Sequence, residues 1–87
     1  MSEYLNNEGR ILLDLYEAFL RTPSEPYLRF ARGFNLPDSG DWIDAVNNLV
    51  EKDLVVWQSL PFGNYILRLT EKGKIPGELI KKFTESI

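Results

Sequence analysis

The chain has 87 residues, 44% of them hydrophobic and 13% aromatic, which suits one small domain with a packed core and is too short for two. It contains no cysteine and no histidine, which excludes disulfide scaffolds, thiolate nucleophiles, imidazole bases and the common zinc sites. The formal net charge of −3 is unevenly spread, because Asp38, Asp41, Asp44, Glu51 and Asp53 face only Lys52 within residues 38–58, whereas residues 59–87 are net basic.

No apolar run approaches the roughly 20 residues of a membrane span. The start, Met-Ser-Glu-Tyr-Leu-Asn-Asn, lacks the basic opening and apolar stretch of a secretory signal. A cytoplasmic location, with no membrane association, is therefore expected.

From Asn7 onward Ile11, Leu12, Leu15, Tyr16, Ala18 and Phe19 recur at helical spacing, predicting a first helix over about 7–21. Asn6 or Asn7 can cap it, and Thr22-Pro23 ends it. Ser24-Glu25-Pro26 is suited to opening a second helix over about 25–34, with Tyr27, Phe30, Ala31 and Phe34 on its buried side. Asn35 stops it, and Leu36-Pro37 makes a bend.

Asp38, Ser39 or Asp41 can cap a third helix over about 39–52. Its apolar side carries Trp42, Ala45, Val46, Leu49 and Val50, and its polar side Asp41, Asp44, Asn47, Asn48 and Glu51. Then the period changes. Leu54 to Leu60 and Tyr65 to Thr70 are rich in β-branched and aromatic residues, predicting a hairpin over about 54–70 around Pro61-Phe62-Gly63-Asn64. Gly73 and Pro76-Gly77 separate it from a short amphipathic helix over about 77–86, striped by Leu79, Ile80, Phe83 and Ile87.

Helix, helix, helix, hairpin, helix is an α+β order, the layout of a winged helix-turn-helix domain. The segments Leu49-Val50-Glu51-Lys52-Asp53-Leu54-Val55 and Tyr65-Ile66-Leu67-Arg68-Leu69-Thr70-Glu71-Lys72-Gly73 resemble the recognition-helix end and the wing of MarR-like and PadR-like transcription regulators. Leu28 to Leu36 resembles their second helix. Asp53 stands where these families usually have glycine, at a position that often needs positive φ, which aspartate tolerates. The linker of about Asn35 to Gly40 is longer than a tight helix-turn-helix turn, and Pro76-Gly77 interrupts a helix that is often continuous.

The resemblance implies a DNA reader whose third helix enters the major groove. That helix would present Asp41, Asp44, Asn47, Asn48 and Glu51, and carboxylates close to phosphate are repelled where Lys and Arg are needed. Asn47 or Asn48 can in principle read adenine. The hairpin tip carries Leu60, Pro61 and Phe62 but no base. Remaining DNA-contact candidates are Arg29, Arg32, Arg68 and Lys72, although solvated arginines covering apolar surface would look the same.

Two functions follow. One is a non-enzymatic module in a regulatory setting that binds a protein, basic in character, through Asp41, Asp44, Asn48, Glu51, Trp57 and Phe62. The other is a small sequence-specific DNA-binding regulator, which the charge pattern disfavours. Plain structural explanations stand beside both: the acidic face as a solvated face, the tryptophans as core, and the Leu79–Phe83–Ile87 stripe as packing on the first helix. That stripe, with Ile80, is alternatively a homodimer seam. No motif for catalysis, cofactor or metal binding is present, so enzyme activity is not expected.

Overall fold

The computed structural model of the protein describes residues 6–86. It contains helix α1 (Asn7–Arg21), strand β1 (Tyr27–Ala31), helix α2 (Gly40–Glu51), strands β2 (Val55–Leu60) and β3 (Asn64–Leu69), and helix α3 (Glu71–Glu85). The architecture is α+β: three helices against a three-stranded antiparallel sheet of order β1-β3-β2.

Local chemistry accounts for most boundaries. The Asn6 side chain accepts from the Gly9 N–H at 2.8 Å and caps α1. Thr70 joins two elements: its Oγ1 accepts from Gly73 N–H at 3.0 Å, capping α3, and donates to the Asp53 carbonyl at 2.7 Å. Asp53 adopts the left-handed φ of 62° expected of it, turning the chain from α2 into β2.

The predicted helix over 25–34 is not a helix. Its first part is β1, an edge strand paired with β3 in the register Leu28↔Leu67 and Phe30↔Tyr65. Leu28 and Phe30 alternate into the core, a period of two that the helical reading of Pro26 and Ala31 obscured. The Asn35 carboxamide then accepts from Ala31 N–H at 2.7 Å and donates to the Arg29 carbonyl at 3.0 Å, folding residues 31–35 into a turn. Phe34, expected inside, is 88% exposed on that turn.

The last helix also differs from expectation. It starts at Glu71, straight after the Thr70 cap, and runs through Pro76. What the glycines supply is close approach: a Cβ at Gly73 would collide with the Leu54 carbonyl, and one at Gly77 would sit 3.0 Å from the Tyr16 Cβ. These contacts dictate which side of α3 faces the body. Leu79, expected to pack on α1, is 62% exposed, and Ile75 and Phe83 are 65% and 48% exposed on the same helix. Ile80 packs against the core instead. Ile87 lies outside the described residues.

The core lies between the helices and one face of the sheet, built on Ile11, Leu12, Leu15, Ala45, Val46, Leu49, Val55, Leu67 and Leu69. Leu15, Leu49 and Leu67 are sealed from solvent, each contributing about 1.5–3 kcal/mol through burial. Val50, expected inward, is 41% exposed. The helices leave the other sheet face open: Val56 and Arg68 are exposed there, while their neighbours Val55, Leu67 and Leu69 are buried. Among the described residues no helix is long and apolar enough to cross a membrane.

Candidate functional site

Four aromatic rings join α2 to the sheet. Trp57 stacks on its own-face neighbour Tyr65 with centroids 5.0 Å apart and planes at 8°. Trp42 meets Trp57 edge-on at 5.9 Å and 73°, and Phe30 approaches Trp42 at 5.3 Å. Pairs of this kind contribute about 0.5–1.5 kcal/mol each beyond burial. Trp57 therefore faces the helices and Val56 faces out.

The cluster is not closed over. A groove of about 220 Å³ runs beside it, walled by Trp42, Trp57, Tyr65, Ile43, Val46 and Pro37. Two polar groups stand at its mouth, Arg32 and Asn47. The Arg32 guanidinium is oriented by a hydrogen bond from Nη2 to the Tyr65 hydroxyl at 2.7 Å. An apolar slot with few convergent polar groups is the usual form of a recognition groove.

Two aromatic side chains stand beyond this groove at the same end of the molecule. The Arg32 N–H donates to the Gly63 carbonyl at 2.9 Å, tying the turn after β1 to the hairpin turn. Phe34 and Phe62 belong to the two turns so joined and are 88% and 99% exposed respectively. Phe62 holds φ at 64°, a left-handed conformation that costs a bulky residue about 1–2 kcal/mol. The turn is braced by the Asn64 amide donating to the Pro61 carbonyl at 3.0 Å. Phe34, Ile43 and Tyr65 escaped the sequence reading, the first because its segment was read as helix.

The acidic residues of α2 divide between faces. Asp41, Asp44 and Asn48 line a shallow cleft against Asn6, Asn7 and Glu8 at the start of α1. There Lys52 Nζ pairs with Glu8 Oε1 at 2.9 Å, and the Asn48 amide donates to Glu8 Oε2 at 3.4 Å. Asn47 turns to the aromatic groove, and Glu51 remains exposed. No group of three or more acidic residues able to hold a metal occurs among the described residues.

The proposed DNA contacts do not converge. Arg29 and Arg68 project from the open sheet face, whereas Asn47, Asn48 and Arg32 belong to the helical side. Lys72 is exposed in the first turn of α3. With β1 in place of the second helix, α2 is preceded by a loop over 32–39 and not by a helix.

No protein-family model matches this chain, and neither a curated protein nor a solved structure matches it.

Proposed function

We propose that the chain is a non-enzymatic, winged-helix-type module that binds a protein through the hairpin end of the molecule. In this reading β2 and β3 form the wing, α2 stands where the recognition helix would, and the setting is regulatory. One observation carries it. Phe62 is almost wholly solvent-exposed, yet it occupies a backbone conformation that glycine or asparagine would take at lower cost. Such a residue does nothing for the core, and its value lies in what it touches outside. Phe34, Ile43 and the rim of the Trp57–Tyr65 groove extend the apolar surface, and Asp41 and Asp44 on the separate cleft between α2 and α1 add acidic character to the same helix, favouring a partner with basic residues around an apolar anchor.

Reading duplex DNA remains the competing function and lacks a shared basic face. An affinity-capture comparison tests the choice: proteins retained by the native chain should be lost with Phe34→Ser and Phe62→Ser combined, while duplex DNA binds neither. Tight duplex binding with a steep salt dependence would overturn the reading.

A second contact is favoured by α3. Ile75, Leu79 and Phe83 follow one another at i, i+4 and i+8 on its solvent side, and the glycine contacts prevent that side from turning inward. This stripe is the homodimer seam of the same reading, with Ile75 in place of the inward-packed Ile80.

A further inference from the structure

We propose that the uncovered face of the sheet is a binding platform for single-stranded nucleic acid, independent of the hairpin-end surface. The strand register sets its composition. Tyr27, Arg68 and Val56 form one row across β1, β3 and β2; Arg29, Ile66 and Gln58 form the next; Ala31, Asn64 and Leu60 form the third. Not one of these nine residues is acidic, in a chain where acids outnumber bases by 13 to 10. All five ion pairs among the described residues use lysine, and neither Arg29 nor Arg68 has a side-chain hydrogen bond or ion pair there.

Geometry makes the two arginines a pair. Arg29 lies opposite Ile66, two residues from Arg68, so they are diagonal neighbours with Cα atoms about 7–8 Å apart. That spacing suits successive phosphates of one extended strand. The Tyr27 ring and the guanidinium planes offer surfaces on which bases stack, and the Gln58 amide offers a donor and an acceptor to base edges, while the Asn64 Nδ2 is held by the Pro61 carbonyl. From Tyr27 to Ala31 the platform is about 13 Å long, room for two or three nucleotides. A duplex hides its base faces inside its own stack and cannot lay them on the sheet. Asp41 and Asp44 of the acidic block belong to α2, in the layer covering the opposite face of the sheet.

An acidic protein segment would also be drawn to two arginines, but it would leave the Tyr27 ring and the Gln58 amide without a matching partner. The test is fluorescence anisotropy of a short labelled oligouridylate titrated with the intact protein at about 20 mM salt and then at rising salt. Saturable binding is expected, with a log–log salt slope near −1.4, the value for two neutralised phosphates on a single strand. Arg29→Gln with Arg68→Gln should weaken binding at least tenfold and flatten the slope, and Tyr27→Ala should weaken it about tenfold through lost stacking. Circular dichroism confirms that each variant folds. Phe34→Ser with Phe62→Ser should leave oligouridylate binding unchanged, which separates this site from the hairpin end. The proposal is overturned by any of three results: no saturable binding at low salt, a duplex of equal length bound as tightly, or indifference to the double arginine variant. Polyglutamate binding as tightly as oligouridylate would likewise overturn it and assign the face to an acidic protein.

Discussion

Phe62 shows how a single residue can oppose stability. Its φ of 64° is left-handed, its ring is 99% exposed, and no burial offsets the strain. Asparagine tolerates that conformation without glycine's entropic cost in the unfolded chain. Phe62→Asn should therefore raise stability by about 0.5–1 kcal/mol, a melting-temperature gain of several degrees by calorimetry. It should also remove partner binding; a stabilised variant that keeps full binding would show that the ring has no recognition role. Asp14 on α1 makes a second residue-scale case. Partial burial raises its pKa above the ordinary 3.8, outweighing attraction from Arg10 and Arg21. The folded state thus holds this proton more tightly than the unfolded chain, so the group favours folding below pH 3.8 and that contribution is lost as pH rises through the folded pKa. Asp14→Asn should flatten this decline in a series of melting curves against pH, with the variant gaining on the native chain towards neutrality.

Among the elements, α3 is the one whose orientation rests on absent side chains. Gly73 lies against the Leu54 carbonyl, which is backbone and cannot rotate away, whereas Gly77 lies against the Tyr16 side chain, which can give by a few tenths of an ångström. Gly73→Ala should accordingly destabilise by about 2–3 kcal/mol in denaturant unfolding, and Gly77→Ala by about 1 kcal/mol. Equal effects would contradict this placement of the helix. The same contacts explain why Leu79 faces solvent and not α1. Periodicity identifies an apolar side on a helix, but two glycines and Ile80 on another side made the closer fit to α1 and the sheet. Strand β1 was missed for a related reason. Five residues are too few to separate a period of two from one of 3.6, and Ser24-Glu25-Pro26 is equally at home before a helix or a strand. Pairing with β3 decided it.

On the whole-molecule scale, the acidic block and the sheet arginines lie on opposite sides. The acids of α2 occupy the helical side, with Glu8 adding to them across the cleft, while Arg29 and Arg68 occupy the open side of the sheet. Asp41→Lys with Asp44→Lys should therefore create duplex affinity in low salt that the native protein lacks, readable as a gain in anisotropy. A double variant that still ignores DNA would mean that α2 is blocked by shape and not by charge. Self-association belongs to this scale too. Sedimentation equilibrium should show a concentration-dependent dimer that Leu79→Glu converts to monomer, with a melting temperature unchanged at dilutions where the native chain is itself monomeric, because Leu79 is 62% exposed and contributes little to the core. A native chain that stays monomeric at high concentration would remove α3 as a seam.

The sequence by itself determined α1, α2 and the hairpin, and narrowed the first cap to Asn6 or Asn7. Each of these follows from periodicity or from one residue's backbone and hydrogen-bonding chemistry within a few positions. It also placed the acidic block on α2 and Phe62 at the hairpin tip. Only the tertiary structure decided that residues 27–31 are a strand, that the turns carrying Phe34 and Phe62 are tied together, that Trp57 and Tyr65 wall a groove, and that Arg29 and Arg68 share a face far from Asn47 and Asn48. Those outcomes depend on strand pairing and on which surfaces approach most closely. Both are interactions between residues distant in the chain, and no local pattern encodes them.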